Sequence, residues 1–251
     1  MNEISLLRPR LIATLLIIDR LAHISYGYSR YEYVGDPINI LNLLSGFEVD
    51  EVLVIDLTAS QSNHLNIQLL TKFRAVADFP LSYAGGIRST SDADRIMKIG
   101  FDKIFLSACN PNLSTLMIYI SNLYGIQAVA LSIDYAIASN QRYMYNPYIR
   151  SNTNTTLEGL LNSLQSNLVS DLLFSCVDRA ASNCGVDQIL LNESYISELS
   201  NPIILSGGFS TEDNQFIKLH GVSGLAASSS IFLQSGCSSA LVCLERHFCR
   251  E

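Results

Sequence analysis

Pro80-Leu-Ser-Tyr-Ala-Gly-Gly-Ile-Arg-Ser-Thr90 recurs, with changes, as Pro202-Ile-Ile-Leu-Ser-Gly-Gly-Phe-Ser-Thr211. Each copy reads as a short apolar strand running into a Gly-Gly turn, then a Ser/Thr cap and an acidic helix start (Ser91-Asp92, Glu212-Asp213). A strand ending in Gly-Gly lets backbone N–H groups approach an anion, and the helix N-terminus beyond it favours negative charge. One such turn says little. Two, in matching positions of two half-chains, point to a symmetric barrel that grips a ligand with two phosphates.

The likeness extends beyond the glycines. Val49-Asp-Glu-Val-Leu-Val-Ile-Asp-Leu-Thr-Ala-Ser60 matches Val169-Ser-Asp-Leu-Leu-Phe-Ser-Cys-Val-Asp-Arg-Ala180, and Gly100-Phe-Asp-Lys-Ile-Phe-Leu-Ser107 matches Gly221-Val-Ser-Gly-Leu-Ala-Ala-Ser228. Shared turn grammar would explain one match, but three in the same order favour a repeat. Eight apolar runs are expected as strands: Leu11–Ile18, Glu51–Leu57, Pro80–Tyr83, Lys103–Leu106, Ala128–Ile133, Asp171–Cys176, Ile203–Leu205 and Ser223–Ala227. Helical patterns at Pro37–Leu44, Leu65–Ala77, Ser91–Ile99, Leu113–Leu123, Leu157–Leu168 and Glu212–Leu219 alternate with them. The strands are continuous apolar runs, as expected when both faces are buried. The fold class is therefore α/β: a (β/α)8 TIM barrel with a two-fold half-barrel repeat, spanning residues 1–251 as one domain. Only Ser139–Thr156, polar and carrying Tyr143, Tyr145 and Tyr148, breaks the pattern, and it reads as a β-hairpin or loop after strand five.

Composition sets the outer bounds. Of 251 residues 48% are hydrophobic and only 16% charged, which permits a large core. A net charge of −7 argues against nucleic-acid binding, which needs a basic stripe. No Lys precedes Lys72, so a polybasic membrane patch is also absent. The apolar run after Arg8 and Arg10 is followed by Asp19-Arg20 and is too short to span a bilayer, so a buried first strand is expected. Six scattered cysteines without a CxxC pair read as reduced thiols of a cytoplasmic protein, with no metal site and no cofactor.

In a barrel, chemistry belongs at the carboxyl ends of the strands. Those positions are Leu16, Asp56, Ser60, Gly85, Gly86, Ser107, Asp134, Asp178, Ser206–Gly208 and Ser228–Ser230. Asp134 has two readings, a general acid or base tuned by partial burial and a loop-capping carboxylate. Gly85, Gly86, Ser107, Gly207, Gly208, Ser229 and Ser230 make up two candidate phosphate sites, unless the small residues simply fit a crowded rim. At the amino ends, Arg10, Glu51, Lys103 and Asp171 are either ordinary solubility charges or a ring of exposed salt bridges. As exposed pairs they would add about 0 to 1 kcal/mol each.

Over nearly its whole length the chain resembles the cyclase subunit of imidazole glycerol phosphate synthase. The resemblance is carried by Gly35-Asp36-Pro37, Asp50–Ser60, Gly85-Gly-Ile-Arg88, Gly100-Phe-Asp-Lys103, Ile133-Asp134, Val177-Asp-Arg179 and Ser206-Gly-Gly208. It implies a barrel that takes ammonia from a glutaminase partner through its bottom and reacts it with a bisphosphorylated ribulosyl ligand. It further implies a catalytic role for Asp134, and an ammonia gate and partner interface at Arg10, Glu51, Asp102, Lys103 and Asp171. The family's strand-one aspartate falls on Leu16, its Asp-Gly-Thr after strand six on Ala180-Ala-Ser182, and the first glycine of its triple-Gly turn on Ala84. This pattern is similar to a paralogue group linked to bacterial surface polysaccharides. There the barrel, a glutaminase and an ATP-dependent amidotransferase install an acetamidino group on a sugar. Histidine synthesis with Asp134 alone and a non-catalytic, partner-stimulating barrel are the alternatives.

Overall fold

The computed structural model describes residues 8–47, 49–210, 213, 216–217 and 220–228. Within them run twelve strands: β1 (Arg10–Ile18), β2 (Leu21–Tyr26), β3 (Arg30–Gly35), β4 (Glu51–Asp56), β5 (Leu81–Ala84), β6 (Lys103–Ser107), β7 (Val129–Ala138), β8 (Gln141–Asn146), β9 (Ser151–Thr156), β10 (Leu172–Cys176), β11 (Ile203–Ser206) and β12 (Gly224–Ala227). Eight of these pair in parallel in the order β1-β4-β5-β6-β7-β10-β11-β12, and β12 returns to β1 through Arg10↔Gly224 to Ala13↔Ala227, closing a barrel. All eight expected strands are present, within about two residues at most ends, although β7 runs on to Ala138.

The helices are α1 (Pro37–Leu44), α2 (Leu57–Ser62), α3 (Ile67–Val76), α4 (Thr90–Ile99), α5 (Leu113–Tyr124), α6 (Leu157–Ser163), α7 (Gln188–Leu191) and α8 (Ser194–Ser197). Local chemistry starts them. Asp36 accepts from the Ile38 and Asn39 amides ahead of Pro37, which suits the first turn of α1. Ser89 and Asp92 form a reciprocal capping box on α4, which buries Ala93 and Ile96. The expected helix Glu212–Leu219 falls largely outside the described residues.

Ser139–Thr156 does not break the repeat; the structure extends the repeat to include it. β7, β8 and β9 form an antiparallel extension above the barrel, and β1, β2 and β3 form the same extension in the first half. Asp19 and Arg20 (φ 48 and 70) turn β1 into β2, as Ser139 and Asn140 (φ 50 and 62) turn β7 into β8. Positive φ at both central residues suits the right-handed twist of a hairpin. The first hairpin escapes sequence reading because Asp19-Arg20 lacks the asparagine that marks the second turn.

Alternation along the strands stacks the barrel interior into layers. Arg10, Glu51, Lys103 and Asp171 lie at its amino-terminal end. Two residues further along each strand come Ile12, Leu53, Phe105 and Leu173, which with Ala130, Ile204 and Ala226 form a buried apolar plug. Above the plug opens a cavity of about 400 Å³ at the carboxyl ends of the strands, with Leu53, Phe105, Leu173 and Ala226 as its floor.

Candidate functional site at the barrel mouth

Two glycine turns sit on opposite sides of this cavity, and their tight fit repeats. A Cβ on Gly85 (φ 122) would collide with the Asp56 carbonyl oxygen, and one on Gly207 (φ 99) would lie 2.6 Å from the Cys176 carbonyl oxygen. Asp56 and Cys176 end equivalent strands of the two halves. Only glycine fits there, and the closely packed turns turn backbone rather than side chain toward the cavity. Ser107 and Ser228 line the same space beside the Gly85-Gly86 and Gly207-Gly208 turns. Such hydroxyls and amides can hold an anion at either side of the mouth. Ser229 and Ser230 lie outside the described residues.

Ala181, which also lines the cavity, adopts φ 58, a conformation that costs an L-residue about 1–2 kcal/mol. The surrounding loop holds it there. The Gly185 amide donates to the Gly208 carbonyl at 2.7 Å, and the Arg179 guanidinium donates to the Gly185 carbonyl at 2.9 Å. The buried Asp213 carboxylate accepts from the Val186 and Ser210 amides. Ala181→Gly is accordingly expected to raise stability by about 1 kcal/mol, read as a higher urea midpoint at unchanged slope.

Asp134 is the single carboxylate among the described residues that line the cavity. It stands on β7 opposite Ser175 of β10, and its Oδ1 accepts the Tyr28 hydroxyl at 2.7 Å. Burial raises its pKa to about 6, against an opposing pull from that hydrogen bond. A carboxyl that titrates near neutrality can both take and return a proton. Leu16, also in the lining, offers no second titratable group at the end of β1. Aromatic and basic groups complete the wall: Tyr28, Tyr31, Tyr145 and Tyr148 from the two hairpins, with Arg88 and Arg150. Tyr28 and Tyr145 meet edge to face with ring centroids 5.8 Å apart, so one hairpin from each half closes over the mouth.

Other strand-end residues serve the scaffold. Asp56 is buried and accepts from the Ala59 amide at 2.8 Å, capping α2 outside the cavity lining. Asp178 accepts from the Ile137 amide at 2.6 Å. Ser60 lines the cavity while its hydroxyl donates to the Asp56 carbonyl.

The amino-terminal charges do meet, but not as exposed pairs. Arg10 contacts Glu51 at 3.4 Å and Asp171 at 2.5 Å, Lys103 bonds Asp171, and Ser82 bonds Glu51. Glu51 and Asp171 are buried, since they project inward beneath the apolar plug. Burial would raise the Asp171 pKa, yet Lys103 and Arg10 hold it below the usual carboxylate range. Asp102 stands apart: it accepts from the Leu81 amide at 2.9 Å and lies 3.7 Å from Arg74.

Sequence reading missed a second buried charge cluster. Arg142 of β8 grips Asp187 through Nε and Nη2 at 2.6 and 2.8 Å and reaches Glu193 at 3.1 Å, while the Tyr135 hydroxyl donates to Asp187 at 3.2 Å. It anchors the second hairpin to the segment before α7. Nothing in the sequence marked it: that β8 exposes Gln141 and buries Arg142 is visible only in the structure.

A closed barrel of eight parallel strands with helices between them and a cavity at the carboxyl ends of its strands defines a (β/α)8 TIM barrel. The family described as "Histidine biosynthesis protein" matches residues 20–236, and the chain belongs to that family. A Leptospira borgpetersenii protein, provisionally named imidazole glycerol phosphate synthase subunit HisF, is 30% identical over 250 residues, 94% of each chain. A Pseudomonas aeruginosa protein provisionally named subunit hisF2 is 28% identical over 81% of each chain. The Lactococcus lactis imidazole glycerol phosphate synthase subunit HisF is 28% identical over 70% of this chain and 68% of its own. Among the described residues no helix is long and apolar enough to cross a membrane.

Proposed function

We propose that this chain is a HisF-type, single-domain cytoplasmic barrel subunit. It accepts ammonia from a glutaminase at its amino-terminal face and uses it on a phosphorylated ligand at its mouth. The observation that carries this reading is the contrast between the two ends. Arg10, Glu51, Lys103 and Asp171 form one connected series of ion pairs below the plug, while Leu16 leaves Asp134 as the only carboxylate among the described residues that line the cavity above it. Ammonia, being small and neutral, can cross an apolar plug that would hold back an ion. The Gly85-Gly86 and Gly207-Gly208 turns, with Ser107, Ser229 and Ser230, bind the ligand's phosphates. Arg10, Glu51, Asp102, Lys103 and Asp171 form the gate and partner face, and Asp134 transfers protons.

With one proton-transfer group in place of two, the barrel is specialised away from histidine synthesis, with weak or no cyclase activity. It serves acetamidino-sugar formation with an ATP-dependent amidotransferase. The test mixes the purified barrel with its glutaminase and measures glutamine-dependent ammonia delivery to that amidotransferase. Delivery above the level of the glutaminase alone supports the reading, and its absence overturns it. A histidine auxotroph lacking the cyclase subunit should not grow on this chain. Strong growth would instead favour histidine biosynthesis, the second reading, which the family match and the retained Asp134 support.

A further inference from the structure

Tyr28 occupies a backbone position that tyrosine does not favour. Tyr26-Gly27-Tyr28-Ser29 is a tight turn closed by the Ser29 amide on the Tyr26 carbonyl at 3.2 Å, with Gly27 and Tyr28 both at positive φ (56 and 55). This pattern suits glycine or asparagine, and a bulky aromatic there is an outlier that costs on the order of 1–2 kcal/mol. Strain of this kind persists where neighbouring contacts over-determine it, and it concentrates at functional sites. Here the contact that holds it is visible. The Tyr28 side chain lines the cavity, stacks edge-on against Tyr145 and donates its hydroxyl to Asp134, 106 positions along the chain. Among the described residues Asp134 makes no other side-chain hydrogen bond.

We infer that Tyr28 is the positioning residue for Asp134, holding Oδ1 so that Oδ2 is presented to the ligand as the mouth's proton acceptor and donor. In the step it supports, Oδ2 takes a proton from a ligand N–H or O–H. That bond breaks, its electron pair stays on the ligand atom, and the neutral carboxyl later returns the proton. The phenol keeps its own proton throughout, because burial and the neighbouring carboxylate push the Tyr28 hydroxyl well above its ordinary range. By donating to the ionised carboxylate, the hydroxyl also restrains the rise that burial imposes on Asp134. Among the described residues, the other titratable groups around Asp134 are Tyr31 from the first hairpin, Cys109 from the loop after β6, Tyr145 and Tyr148 from the second hairpin, and the cavity's Arg88 and Arg150.

This inference rests on Asp134 being the proton-transfer group, but its test needs neither ligand nor partner. The Asp134 carboxyl is titrated by carbon-13 NMR in the free full-length protein, with Asp134→Asn identifying the signal. Tyr28→Phe keeps the ring and loses the donor. It should move the Asp134 midpoint upward by roughly one pH unit from about 6, with melting temperature nearly unchanged near pH 4, where the carboxyl is protonated with or without the donor. If Tyr28 only braces the hairpin, the melting temperature drops and the midpoint stays where it was, which overturns the inference. Should the Phe variant fail to fold, 3-fluorotyrosine placed at position 28 is a stronger donor of nearly the same shape and must lower the midpoint. No change there also overturns it. A missing ammonia-delivery activity counts against the proposed function alone and leaves this titration to decide for Tyr28.

Discussion

Asp134→Asn is expected to yield a protein that is more stable at neutral pH and nearly inactive. The ionised carboxylate sits in a cavity walled by tyrosines and aliphatic side chains, and its pKa rises from 3.8 to about 6. A rise of that size corresponds to a folding cost of up to about 3 kcal/mol wherever both folded and unfolded states are ionised. The sign follows from the raised value. Stability linked to this group is complete below the unfolded-state pKa near 4 and is lost as pH rises through about 6. Asparagine has nearly the same shape, still accepts the Tyr28 hydroxyl and never ionises. Urea unfolding should therefore show the variant ahead of wild type above pH 6, with the gap closing as pH falls toward 4. Any cyclase turnover that the wild type supports with ammonium as nitrogen donor should drop on the order of 10²- to 10⁴-fold. A variant that is no more stable than wild type at pH 7 would mean that water reaches the carboxylate more freely than its surroundings indicate.

Asp171→Asn should destabilise the protein by roughly 3 kcal/mol at neutral pH, because it leaves the inward-facing Lys103 without its counter-charge. The Lys103 side chain is only 11% exposed and that of Asp171 5%, while Arg10, at 35%, can turn partly to water. Because Asp171 is held below the usual carboxylate range, its contribution is present at neutral pH and lost as pH falls through that lowered value. The difference between wild type and variant should accordingly shrink in acid, measured by thermal melting from pH 7 down to pH 3. Asp171→Glu retains the charge and should recover much of the loss. A functional comparison separates scaffold from gate. If these ion pairs control ammonia entry, glutamine-driven transfer falls further than transfer driven by added ammonium. Equal losses would make them a structural stitch.

The barrel was legible because strands buried on both faces leave continuous apolar runs, and because the Gly-Gly turns fall at their carboxyl ends. The positions of Asp134, Gly85, Gly207 and Ser107 follow from where each run stops. Burial was not legible. The charges at Glu51 and Asp171 look like strand-start solubility charges until β4 and β10 are seen to aim them into the barrel beneath Leu53 and Leu173. The first hairpin was hidden for a local reason: Leu21–Gly35 is tyrosine-rich without a clean apolar alternation, and its first turn rests on Asp19-Arg20, where arginine is not a turn residue.

By itself, then, the sequence determined the (β/α)8 order, its two-fold repeat and which residues stand at the strand ends, since all three depend on spacing along one chain. The tertiary structure alone decided which polar groups face each other. Tyr28 and Asp134, Arg10 and Asp171, and Arg142 and Asp187 are 106, 161 and 45 positions apart. Their proton affinities and energies come from contact across space in a low-dielectric interior, and no periodicity along the chain encodes that contact.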